Sequence, residues 1–124
     1  MEFKIDTKEK ILVVQPQISL LDANLADAFV KEVSDLPGLE GRNLILDLAL
    51  VSNTDEAGLQ AILTVYNQQY DSSLSCALTG LNNDLLAKIK VADENVVNLA
   101  PTMLEAIDLV MMEDLERELL GEDE

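Results

Sequence analysis

Apolar side chains alternate with polar ones at Phe3, Ile5 and Thr7, pause through a polar turn at Lys8 to Lys10, and then run without a break from Ile11 to Val14. A period of two followed by a short continuous run predicts a hairpin with an outer and an inner strand, ending at Pro16. Leu25, Phe29, Val33 and Leu36 recur at spacings of four, four and three. That spacing predicts an amphipathic helix, with Asp22 placed to cap its first turn and Pro37-Gly38 placed to stop it.

Leu44 to Leu48 is a nearly continuous apolar run, as expected of a strand at the centre of a sheet. A second helix is predicted from about Asp55 to about Tyr70, with Leu59, Ile62, Leu63 and Tyr66 on its inner side. Leu74 to Gly80 is a fourth strand. A short helix follows, entered through Asn82 or Asn83 as its cap. Val96 to Leu99 predicts a minimal fifth strand, and Pro101-Thr102 the start of a last helix burying Met103, Leu104, Ile107, Val110 and Met111.

The order is ββαβαβαβα. Strands separated by helices need crossover connections, so the later strands should be parallel and the hairpin should supply the antiparallel part. The expected fold class is α/β, with a single mixed, mostly parallel sheet of about five strands and packed helices. No internal repeat or linker interrupts the chain, and residues 1–124 read as one domain. Residues 113–124 form an acidic extension that continues the helical pattern through Leu115 and Leu119 and stops at Gly121. Either that extension frays and serves solubility, or its leucines touch the first helix or another subunit. A homodimer is one form the second case would take.

Composition narrows the functions. Eight Lys and Arg against 24 Asp and Glu leave a net charge of −16, a field that repels phosphate backbones and anionic lipids. Aromatics are only 3% of the chain, too few to build a base-stacking platform. Direct nucleic-acid binding and membrane insertion are therefore not expected, and proteins are the expected partners. No run approaches a membrane span, and the charged start MEFKIDTKEK lacks a signal-peptide core, so a cytoplasmic protein is expected. Cys76 stands alone and reads as a buried strand thiol.

With no histidine, Ser-His-Asp and Cys-His catalysis and the usual zinc sites are excluded. Neither GxGxxG nor GxxxxGK[ST] occurs, so the standard phosphate cradles are missing. No enzyme activity, cofactor or metal is expected. Asp47, Asp55 and Glu56 lie close in sequence, but in so acidic a chain such residues usually cap helices or face solvent.

One stretch carries more information. In LILDLALVSNTDEAGLQAIL, residues 44–63, an apolar strand ends in Asp47 and an apolar helix begins after Thr54, Asp55 and Glu56. Capping accounts for these three, with Thr54 or Asp55 as N-cap and Glu56 in the positive first turn. The whole stretch also resembles the signature of STAS domains, the sulphate-transporter and anti-sigma-factor-antagonist family. In that signature an apolar strand ends in Asp and is followed by Asp-Ser-Ser-Gly or Asp-Thr-x-Gly, then Leu and an apolar helix. Asp47 matches the strand aspartate, Asp55 the motif aspartate, Gly58 the motif glycine and Leu59 the leucine after it. ISLLDANLADAF, containing Asp22, and CALTGLNNDLLAKIKV resemble further family segments, so the likeness covers about residues 3–112.

In the antagonist branch of that family, the first Ser or Thr after the motif aspartate is phosphorylated by a partner that is both serine kinase and anti-sigma factor, and the phosphate abolishes binding. Here that position is Glu56, and the next is Ala57, so the acceptor hydroxyl is absent. Thr54 is the nearest one. The resemblance implies a partner-binding surface of Asp22, Asp47, Thr54, Asp55, Glu56, Ala57, Gly58 and Leu59. It implies a non-catalytic, protein-binding regulator in a bacterial partner-switching pathway that controls transcription. The alternative is a structural STAS module in a multi-subunit signalling or transport assembly; small-molecule binding at the loop end of the sheet is a third reading.

Overall fold

The computed structural model describes residues 1–122. Strands β1 (Phe3–Thr7) and β2 (Ile11–Pro16) form the antiparallel hairpin, in the register Ile5 to Val14. After them come β3 (Leu20–Leu21), α1 (Ala23–Ser34), β4 (Asn43–Asp47), β5 (Asn53–Thr54), α2 (Glu56–Asp71), β6 (Cys76–Thr79), α3 (Asn83–Ala92), β7 (Leu99–Ala100) and α4 (Met103–Glu122). The main sheet has the order β1-β2-β4-β6-β7, and every pairing after the hairpin is parallel. This is the expected mixed α/β fold. The short pair β3-β5 is additional, and it forms a separate two-stranded ladder.

From β2 to β7 the sheet grows in one direction, one neighbour at a time. Right-handed crossovers then place α1, α2 and α3 on the same face. Leu12, Val14, Leu44, Leu46, Cys76 and Leu78 point to that face and pack with Phe29, Val33, Ile62, Tyr66, Leu85 and Ile89 into the larger core. Alternate residues of the same strands, Ile11, Val13, Ile45, Ala77 and Ala100, point the other way and meet only α4, through Ala106 and Val110.

This second face is held partly by polar groups. Where the strands begin, Asn43 accepts from the Ser75 amide (3.0 Å) and from Arg117 (2.9 Å), and Arg117 also donates to Ser75 Oγ (2.7 Å). Lys10 bonds Asp114 at 3.0 Å and also reaches Glu118. Beside them on the same inward side of the helix, Glu113 accepts from Tyr70 Oη (2.7 Å) and from Asn98 (3.0 Å). Burial opposes ionisation of Glu113, but its hydrogen bonds from Ser75, Asn98 and Tyr70, with the Arg117 charge, outweigh that and hold its carboxyl below the usual range. The same balance, with Lys10 and Asn43 as donors, lowers Asp114.

Three details depart from the sequence pattern. The fifth strand is Leu99–Ala100 instead of Val96–Leu99: Asn98 meets β6 through its carbonyl, which accepts from the Leu78 amide, and through its side chain on the Cys76 carbonyl, and the ladder proper pairs Leu99 and Ala100 with Leu78 and Thr79. Leu104 is 69% exposed and Met111 only half-buried, whereas Val110 is buried as expected and Ala106 is buried beside it. The last helix does not stop at Gly121 but continues to Glu122, and residues 123–124 of the acidic extension lie outside the described residues. Cys76 is fully buried, and burial pushes its thiol well above the ordinary range.

Candidate functional site

The STAS-like stretch lies where the parallel strands end. β4 finishes at Asp47, whose side chain turns the chain by accepting from the Ala49 amide (3.0 Å) and from Gln15 Nε2 (3.1 Å). Gly80, at the end of β6, approaches so closely that a Cβ there would lie 2.6 Å from Asp47 Oδ1. Its φ of +75° also favours glycine. The segment then pairs β5 with β3, Leu21 opposite Thr54, so the chain entering α2 is tied to the chain entering α1.

Asp55 is the centre of this junction. It is the N-cap of α2, with Oδ1 accepting from the Gly58 amide at 2.8 Å, while Oδ2 accepts from the Ala23 amide, the first residue of α1, at 2.9 Å. One carboxylate thus serves two helix N-termini. The Gly58 amide first, then that of Ala23, holds its carboxyl below the usual carboxylate range. Asp22 caps α1 from its own side through the Asn24 amide (3.0 Å).

Gly58 has a steric reason to be glycine. A Cβ there would sit 1.9 Å from the Leu21 carbonyl oxygen, so α2 reaches its seat against β3 only without a side chain at this position. Leu59 is buried in the larger core and Ala57 packs at its margin. Thr54 is not the cap: it is buried, its hydroxyl has no hydrogen-bond partner among the described residues, and its backbone carbonyl accepts from Lys88 on α3 (3.2 Å). A kinase would have to open β5 to reach that hydroxyl.

Glu56 occupies the first residue of α2 and is exposed, with Gln60 Nε2 at 3.3 Å from its carboxylate. It stands at the mouth of a groove of about 650 Å³ between α2 and α3, with Leu59 and Gln60 on one wall and Ala87, Lys88 and Val91 on the other. The structure therefore gathers Thr54 to Leu59 at one helix start, ties Asp22 to it through the α1 N-terminus, and puts Asp47 behind it as a turn residue. Sequence reasoning missed Lys88, which bonds the β5 backbone from 34 residues away. It also missed Leu20 on β3 and Leu50 on the loop after β4, each 45% exposed at this end. Exposed leucines beside polar loop residues were a readable signal for the latter pair; nothing local marks Lys88. Among the described residues no cluster of acids and cysteine could hold a metal ion, and no helix is long and apolar enough to cross a membrane.

Such a junction, at the strand ends of a five-stranded mixed sheet, matches a known family. The STAS domain family model covers residues 2–106, and the chain belongs to that family. No curated protein matches it. Among solved structures, it is similar to one from Thermotoga maritima described as a candidate anti-sigma factor antagonist, with a TM-score of 0.75 and 20% identity, over 88% of this chain and 94% of that one. It is similar to a serine-to-glutamate variant of RsbS from Moorella thermoacetica, with a TM-score of 0.71 and 17% identity, over 94% and 99%. Murine Slc26a9, an anion transporter, matches with a TM-score of 0.70 and 17% identity over 82% of this chain, which spans 18% of that transporter.

Proposed function

We propose that this STAS domain is a non-catalytic, protein-binding regulator of anti-sigma-factor-antagonist type, in which Glu56 holds permanently the position that a switching member fills with a phosphorylatable Ser or Thr. The observation that carries the reading is the exposed carboxylate of Glu56 on a helix start held by the paired bonds of Asp55. A phosphoserine at a helix N-terminus carries about 1.5 to 2 negative charges and three acceptor oxygens; glutamate brings one charge and two oxygens. The domain therefore sits near the phosphorylated end of such a switch. Its partner is a protein of the anti-sigma factor and serine-kinase kind in a bacterial, cytoplasmic pathway, and the contact surface is the α2 start with the neighbouring loops.

The test restores the hydroxyl. Glu56→Ser is incubated with ATP and the kinase-like protein that co-purifies from the native cell, and the product is read by mass spectrometry. One added phosphate on residue 56, absent from wild type, is the expected result. No phosphate, together with co-purification of a stoichiometric set of unrelated subunits, overturns it in favour of a structural module. The likeness to a part of Slc26a9 keeps that second reading in view.

A further inference from the structure

Helix α4 is turned inside out along its second half. Its inward side chains there are Glu113, Asp114 and Arg117, all bonded to the sheet margin or to neighbouring polar groups. Its outward side chains are apolar: Leu104, Met112, Leu115 and Leu119 are 69%, 62%, 54% and 55% exposed. At about 100° per residue these four fall on one side of the helix, with the half-buried Ile107 and Met111 beside them, and they span about 22 Å. The helix docks through Ala106 and Val110, with Met103, Ile107, Leu109 and Met111 packed at their margin and the polar set beneath, so the sheet does not need Leu104, Met112, Leu115 or Leu119. An exposed apolar stripe of this length, broken only by Asp108, marks a contact surface.

Charge indicates what covers it. Glu105 and Glu116 border the stripe on one side and Glu118, which Lys10 reaches, on the other; Asp108 lies within it, and the one cation of α4, Arg117, faces Asn43 and Ser75. A second copy would bring the same acidic borders and another net charge of −16 against it. Nothing in the stripe depends on Glu56 or the α2 surface. We propose that the outer face of α4 is a second docking surface, and that its occupant is an amphipathic helix of a different protein, with apolar anchors along its centre and Lys or Arg along its borders. Met111 and Met112, unbranched and adaptable, suit such a seam.

The experiment uses the full chain and a synthetic 18-residue amphipathic helix with leucines on one face and lysines on the other. Its counterpart with glutamates for lysines is the control. Backbone amide shifts and fluorescence anisotropy report binding, and light scattering reports mass. The expected result is saturable binding of the leucine-lysine peptide to a monomer, with shifts concentrated between Leu104 and Leu119. Affinity should fall at least tenfold in Leu115→Glu, an exposed substitution whose fold is checked by circular dichroism, and should be unchanged in Glu56→Ser. The acidic peptide should not bind. Shifts centred elsewhere, equal binding of both peptides, insensitivity to Leu115→Glu in a folded variant, or a doubled mass that excludes the peptide would each overturn the proposal.

Discussion

The two faces of the sheet are held by different forces. On the α1-α2-α3 face, Phe29, Leu12, Leu44, Leu46, Ile62 and Leu78 are almost wholly buried, and close packing of large side chains supplies the stability. On the α4 face the seam is narrow, built from Ala77, Ala100, Ala106 and a few β-branched residues, and polar groups at the strand starts set where the helix lies. A packed face tolerates no loss of volume. A face positioned by hydrogen bonds tolerates none of its partners being left alone. The packed face also seats the start of α2, whereas the bonded face leaves the apolar side of α4 free.

The largest effect should come from the packed face. Phe29→Ala removes a fully buried ring and should cost about 3–5 kcal/mol in urea unfolding; a loss under 1 kcal/mol would break the comparison. Next is Gly58→Ala, which drives a Cβ toward the Leu21 carbonyl and should cost about 1–3 kcal/mol by forcing α2 from its seat. Unfolding midpoints check it, and a neutral result would show that α2 has room to move. On the bonded face, Arg117→Met strips donors from Ser75 and Asn43 and should cost about 1–2 kcal/mol. Hydrogen exchange should then rise in α4 ahead of α2.

Acid sharpens the contrast. Glu113, Asp114 and Asp55 have carboxyls lowered in the folded chain, so the unfolded chain binds more protons once pH drops into the ordinary carboxylate range near 4. Their contribution is whole above about pH 5 and is lost as pH falls through the lowered values. Thermal midpoints between pH 7 and 3 should decline over that lower range, with α4 loosening first. Replacing Glu113 by Gln should flatten part of the decline.

Much of this contrast was legible in the residues themselves, and the illegible part has a common cause. The runs Ile11 to Val14 and Leu44 to Leu48, and the spacing Leu59, Ile62, Leu63, Tyr66, report burial through periodicity, and they led to the right strands, helices and neighbours. The Asp55 cap was readable as one of two choices, since Thr54 and Asp55 both suit an N-cap. What separated them was the second bond of Asp55 to Ala23, 32 residues back. The β3-β5 pairing, the seat of Gly58 against Leu21 and the bonds of Arg117 to Asn43 likewise join residues far apart in sequence. Each depends on backbone approach or on single polar contacts, which leave no period. Leu104 misled for a related reason: in a helix whose apolar and charged residues are both spread around the axis, the pattern does not tell which side the sheet will take.

The smallest effect on stability belongs to Glu56, and it is also the most informative about function. Glu56→Ser exchanges one exposed carboxylate near a helix dipole for a hydroxyl and should shift stability by about 1 kcal/mol or less. Binding is where the two should part. The most direct measurement is the dissociation constant of the native kinase-like partner for wild type, for Glu56→Ser and for the phosphorylated variant. The account predicts that the unmodified serine variant binds about thirtyfold more tightly than wild type, equivalent to ~2 kcal/mol, and that phosphorylation returns it to the wild-type level or weaker. Affinities within about twofold across all three would contradict it, leaving Glu56 as a residue of the α2 first turn and nothing more.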